Sequence, residues 1–108
     1  MAATKFYSTD GGDFFQVIRE TKTTVTVRPV NSEYLETTAI YTAFDYDVKR
    51  RAIANDFTTS FLFTDAQNAN GKRCKKNATG NGGIILSNYY GACAWPCDEV
   101  DTFNRDFR

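Results

Sequence analysis

Between Phe14 and Val30 the chain reads FFQVIRETKTTVTVRPV, two runs of β-branched and aromatic residues parted by a polar turn around Thr21 and Lys22. Val25 and Val27 fall on one face of the second run, and Thr24, Thr26 and Arg28 on the other. A period of two is what a half-buried antiparallel strand requires, because successive side chains leave opposite faces of the pleated backbone. The segment predicts a β-hairpin and, with it, an all-β fold with little helix. Pro29 lies near the far end of the hairpin, where the loss of one backbone donor is tolerable.

The pattern continues on both sides. Lys5, Phe6 and Tyr7 predict a first strand, closed by a turn over Asp10–Asp13. Asn31-Ser32 reads as a turn, and Tyr34–Val48 as extended again, with Phe44, Tyr46 and Val48 opposite Asp45 and Asp47. Lys49–Asp56 fits a short amphipathic helix. The alternation of Phe57, Thr59, Phe61 and Phe63 predicts another strand. Asn70-Gly71 reads as a hairpin turn, since both residues accept positive φ. A second turn spans Thr79–Gly83, and the basic segment Lys72–Lys76 between them is strand-like. Ile84–Leu86 restarts the core, Asn88–Gly91 bends out of it, and Cys93–Arg108 reads as an irregular tail docked by Trp95, Phe103 and Phe107.

At 108 residues the chain is expected to be one domain, 1–108, large enough for a core of its own. That core is predicted to hold Phe15, Val17, Val25, Val27, Phe44, Tyr46, Phe61, Phe63, Ile85 and Trp95. Short strands and little helix suggest a small SH3-like barrel or a strongly bent antiparallel sheet.

Thirteen basic residues balance thirteen acidic ones. A general nucleic-acid binder is usually basic, because phosphate neutralisation supplies its affinity, and a nucleic-acid mimic is acidic; the whole chain is neither. Histidine is absent, which removes the commonest base at neutral pH and the usual partner of a nucleophilic serine or cysteine. Asp45 and Asp47 share a strand face but nothing converges on them, and GNGG at Gly80–Gly83 lacks the lysine and helix of a phosphate loop. The expectation is a protein that is not an enzyme. The first residues lack the basic and apolar blocks of a secretory leader, and no apolar run has the length of a membrane span, so a cytoplasmic protein with reduced thiols is expected.

Cys74, Cys93 and Cys97 form the one constellation with chemical content. Cys93 and Cys97 are spaced as a knuckle around Pro96, and a hairpin closed at Gly80–Gly83 would bring Cys74 beside them. Thiolates are the preferred soft ligands of zinc, so the three predict a structural zinc site, with Asp98, water or another group as fourth ligand. The alternative is that they are small buried apolar residues. Two basic clusters remain, Lys49–Arg51 and Lys72–Lys76. With Tyr89, Tyr90 and Trp95 the second could track phosphates or stack a base.

FFQVIRETKTTVTVRPV resembles a recurring element in small proteins of bacteriophages and mobile elements of Gram-positive bacteria. Those proteins have a similar DFYQV strand, a KT turn and a VTVR strand, then a KR segment and a polar-aromatic strand ending in a Trp-Asp-Gly turn. Lys72-Arg73 matches the KR segment, and Asn88–Asp98 corresponds to the rest, with AWPCDE in place of the tryptophan turn. The cysteines are outside that pattern, and no catalytic motif comes with it. By analogy with phage host-takeover factors, the resemblance implies an intracellular inhibitor in a bacterial host. Its most plausible form is an anti-CRISPR protein that binds a Cas nuclease such as Cas9 and blocks loading of target DNA. The expected contact residues are Arg50, Arg51, Tyr89 and Tyr90, since interfaces favour tyrosine and arginine anchors. The alternative is a small-barrel accessory protein that binds nucleic acid through Lys72–Lys76.

Overall fold

In the computed structural model, which describes residues 4–106, the hairpin of the sequence is present: β2 (Phe14–Glu20) turns back through Thr21–Thr23 into β3 (Thr24–Thr42). Thr21 closes the turn, its Oγ1 accepting from the Thr24 amide at 3.0 Å. Around the pair, β1 (Phe6–Ser8), β4 (Asp45–Phe57), β5 (Lys72–Lys75), β6 (Ile84–Ser87), β7 (Ala92–Cys97) and β8 (Val100–Asp106) complete one antiparallel sheet of eight strands. Its order is β6-β7-β1-β2-β3-β4-β8, with β5 added to the first part of β3. The sheet is not closed into a barrel. It is bent, because Ser8 on β1 donates its hydroxyl to Asp101 on β8 at 3.0 Å although three strands lie between them in the sheet.

The widest break in the ladders lies between β3 and β4. β3 does not turn at Asn31-Ser32 but runs on through it. Its partner on β4 jumps from Phe57 opposite Val30 to Ala52 opposite Ser32, so Ile53–Asp56 bulge out of the ladder. Asn55 takes φ 65 there, a left-handed conformation that asparagine accepts better than most side chains. Gln16 holds it, donating from Nε2 to Asn55 Oδ1 at 3.0 Å and accepting from the Asn55 amide at 2.6 Å. The predicted helix at Lys49–Asp56 is therefore strand and bulge. Pairing on both sides, with β3 and β8, outweighs a weak helical pattern.

The Phe14-Phe15 pair shows how the two layers form. Adjacent strand residues point to opposite faces, and both rings are 1% exposed, so each face of β2 is covered. One cluster gathers Tyr7, Phe15, Val25, Val27, Phe63, Cys74, Ile84, Leu86 and Ala94. The other gathers Phe6, Phe14, Val30, Val48, Ala52 and Phe103. Each fully buried side chain of this size stabilises by about 1.5–3 kcal/mol.

Of the predicted core, Phe15, Val25, Val27 and Phe63 are buried, while Val17, Tyr46, Ile85 and Trp95 are half-buried. Phe44 and Phe61 are exposed, at 67% and 79%. Phe44 caps the tip of the β3–β4 hairpin, where no opposing layer reaches. Phe61 is outside because Thr58–Thr64 is not a strand: β4 ends at Phe57 and the chain loops into α1 (Asp65–Asn70). A capping box starts that helix, with Thr64 Oγ1 accepting from the Gln67 amide and the Gln67 side chain bonding back to Thr64. Gly71, read as part of a hairpin turn, is instead the C-cap, at φ 94. The supposed irregular tail supplies β7 and β8, the latter anchored by buried Phe103. Phe107, the other expected anchor, lies outside the described residues.

Candidate interaction surface

The turn between β6 and β7 projects Tyr89 and Tyr90 away from the sheet. Gly91, at φ 62, lets the chain reverse, and the Gly91 amide donates to the Asn88 carbonyl at 3.4 Å. Phe61 comes to the same place from the loop before α1. That loop is pinned by Asn68, whose Oδ1 accepts from the Ser60 amide at 2.8 Å and whose Nδ2 donates to the Ser60 carbonyl at 3.2 Å. Tyr90 stands edge-on to both neighbours, 5.3 Å from Phe61 and 4.9 Å from Tyr89 between ring centres. Such contacts are worth about 0.5–1.5 kcal/mol apiece, yet they leave the rings in water. Phe61 is 79% exposed, Tyr89 87% and Tyr90 57%. A contiguous exposed aromatic patch on a folded chain marks an interaction site more often than scattered single residues do. Beneath it opens a cleft of about 520 Å³, lined by Phe61, Tyr90, Trp95, Asp10 and Asp13 among others.

Arg50 and Arg51, expected to join the tyrosines, lie elsewhere. They sit on β4, separated from β7 by β1, β2 and β3 in the sheet. Being adjacent on a strand, they also face opposite ways. Arg50 points into a groove of about 720 Å³ with Tyr34, Ile40 and Tyr46, and its guanidinium is held by Ser32, Nε to Oγ at 2.9 Å and Nη2 to the carbonyl at 3.0 Å. Arg51 lies between Glu33 and Glu99, at 3.4 and 3.3 Å. Both cations are thus partnered within the chain, which leaves the tyrosines as the more available half of the expected set.

The three cysteines are not brought together. β5 pairs with β3, setting Cys74 opposite Val25 in the core, rather than returning beside β7. Cys93 faces Ile85 and Cys97 faces Phe6 across their ladders. Both lie in one extended strand, where a four-residue spacing separates them by about 13 Å, too far to share an ion through a knuckle. No group of three or more cysteine, aspartate or glutamate side chains with metal-binding spacing occurs among the described residues. The expected zinc set therefore finds no support in the geometry. Burial pushes up the thiols of Cys74 and Cys97, as it does for cysteines in apolar surroundings.

The remaining candidates are also absorbed locally. Asp45 and Asp47 both accept from Asn104 Nδ2 at 2.9 Å, and Asp47 accepts from the Tyr41 hydroxyl at 3.0 Å. In the basic segment, Lys72 turns inward, over the Phe63 ring and onto the Leu86 carbonyl, and Lys76 pairs with Glu20 at 2.9 Å. Only Arg73 and Lys75 project from β5 into solvent. No helix among the described residues is long and apolar enough to cross a membrane.

No protein-family profile matches the chain, and no curated protein or solved structure matches it. The class open to argument is thus one defined by surface: a small antiparallel β domain presenting an exposed aromatic patch.

Phe61 is the site residue that sequence reasoning misplaced. The capping box Thr64–Gln67 carried the missed signal, since a helix starting at Asp65 leaves the residues before it as a loop.

Proposed function

We propose that this chain is a non-enzymatic protein-binding factor that works through the Phe61, Tyr89 and Tyr90 patch. The observation that carries this reading is the exposure of Phe61 and Tyr89, both packed edge-on against Tyr90, itself exposed. Aromatic residues preset in this way lose little conformational freedom on docking and dominate interface energetics. For the partner, the resemblance of the hairpin to phage proteins supports a Cas nuclease inside a bacterial host, bound directly so that target DNA cannot load. The neutral charge balance favours direct binding over imitation of DNA.

The nucleic-acid reading is weakened by the basic segment, of which Lys72 and Lys76 are engaged within the fold. The deciding experiment is pull-down with purified Cas9, followed by cleavage assays with the chain added before or after target DNA. Inhibition is expected only when it is added first, and Tyr89→Ala with Tyr90→Ala should weaken capture at least tenfold. Equal inhibition in both orders would contradict blocked loading, and no capture would remove the nuclease as partner. Gel shifts with DNA and RNA complete the comparison: a steep loss of affinity with salt would favour the nucleic-acid reading instead.

A further inference from the structure

The cleft beneath the aromatic patch has a definite charge. Its walls include Phe61, Tyr90 and Trp95, while Asp10 and Asp13 stand on the β1–β2 turn at its rim. No lysine or arginine lines it among the described residues, and neither aspartate forms an ion pair there. Several glutamates are by contrast neutralised in place: Glu20 takes both Lys5 and Lys76, and Glu33 and Glu99 share Arg51. Two carboxylates without an ion pair, beside three rings in a cleft with no basic lining, leave a site complementary to a cation.

The β1–β2 turn holds the rim in place without using those carboxylates. The Thr9 amide donates to the Asp13 carbonyl at 3.0 Å, the Gly12 amide to the Thr9 carbonyl at 3.1 Å, and the Asp13 amide to Thr9 Oγ1 at 3.3 Å. Trp95 is fixed from the opposite side, where its indole lies so close over Gly83 that a Cβ there would meet Nε1 at 2.8 Å. Rim and wall are therefore both preset.

We propose that this cleft receives an arginine side chain from the protein partner, the guanidinium stacking on the aromatic wall with Asp10 and Asp13 taking its N–H groups. Arginine fits better than lysine because its flat, weakly hydrated head stacks on rings and forks onto carboxylates at once. A phosphate backbone is disfavoured, since it would meet the rim with charge of the same sign. The inference rests on the protein-binding reading above and names the chemistry at its centre.

Trp95 is the only tryptophan of the chain, so its fluorescence reports on the site directly. The probe is an acetylated, amidated six-residue peptide alternating arginine and glycine, with lysine and citrulline versions as controls, titrated by Trp95 emission and by calorimetry. Saturable binding of the arginine peptide is expected, several-fold weaker for lysine and at least tenfold weaker for citrulline, which keeps the shape and loses the charge. The double substitution D10N/D13N, on an exposed turn, should weaken it at least tenfold with an unchanged circular dichroism spectrum. Tyr90→Ala should weaken it several-fold. Equal binding of the citrulline peptide, unchanged binding by D10N/D13N, or no saturation by the arginine peptide would each overturn the proposal. Capture of the nuclease separates the two claims. Undiminished capture by D10N/D13N ends the arginine site and leaves protein binding standing, while peptide binding without capture of any nuclease keeps the arginine site and removes the nuclease as partner.

Discussion

Phe103 offers the most direct test of how the bent sheet is held. Its ring is 5% exposed and meets Phe14 edge-on, 5.4 Å between centres at 88°. β8 is an edge strand, with β4 as its sole ladder partner, so this ring fastens it to the layer beneath. Phe103→Ala removes a buried aromatic and leaves a hole over Phe14, at a cost of about 3–5 kcal/mol. The whole domain is stabilised by only about 5–15 kcal/mol at this chain length. With an unfolding entropy near 2.1 cal/mol/K per residue, a loss of about 4 kcal/mol lowers the midpoint by about 18 °C. Urea unfolding followed by Trp95 fluorescence and far-ultraviolet circular dichroism measures the loss. A double-mutant cycle with Phe14→Leu should return about 0.5–1.5 kcal/mol of coupling beyond the two single effects. A loss below about 1 kcal/mol, or additivity within about 0.3 kcal/mol, would mean that Phe103 does not seal the two layers.

Three further outcomes follow from particular contacts. Lys5 and Lys76 hold Glu20 at 2.8 and 2.9 Å and lower its carboxyl from 4.5 to about 2, so this pairing stabilises fully above pH 4.5 and is lost as pH falls toward 2; Glu20→Gln should flatten the acid limb of a stability–pH curve, and an unchanged limb would refute the clamp. Gln16→Leu strips the Asn55 amide of its partner at the bulge and should cost about 1–3 kcal/mol in urea unfolding; a neutral Gln16→Leu would show the bulge to be held otherwise. Thiol labelling mapped by mass spectrometry should find Cys74 slowest, since it is buried and its thiol is pushed up, and one equivalent of zinc should leave the rates unchanged; protection of all three cysteines would restore the zinc site.

The parts of the fold legible in the sequence were those where a strand's alternation meets one buried face. Val25 and Val27 behave so, and the hairpin through Thr21 follows. The same rule failed at Phe61, because alternation cannot tell a strand from a loop that buries Phe63 and leaves Phe61 outside. The helical reading of Lys49–Asp56 failed for another reason, since a long-range pair, Gln16 with Asn55, decides the conformation at Ile53–Asp56. Gly71 was read rightly as a positive φ and wrongly as a hairpin, since a turn and a helix cap make the same demand of a glycine. The exposure of Tyr89 and Tyr90 was legible because a polar, glycine-ended turn cannot bury them. The partners of Arg50 and Arg51 were not legible, because Ser32 and Glu33 arrive from β3 and Glu99 from the turn between β7 and β8.

β1 is three residues long and lies between β2 and β7, with Phe6 opposite Cys97. Its second neighbour is thus made about 90 residues after it, nearly the whole length of the chain. On a ribosome the Phe14–Val30 hairpin can pair as soon as it emerges, but one flank of Phe6–Ser8 stays open until β7 has left the exit tunnel. Closing so distant a ladder carries a large entropic toll before any contact rewards it, which places folding among the slow β proteins, in milliseconds to seconds. During that wait a short apolar strand with bare amides faces solvent, and chaperone capture or pairing with a neighbouring nascent chain competes with the native ladder.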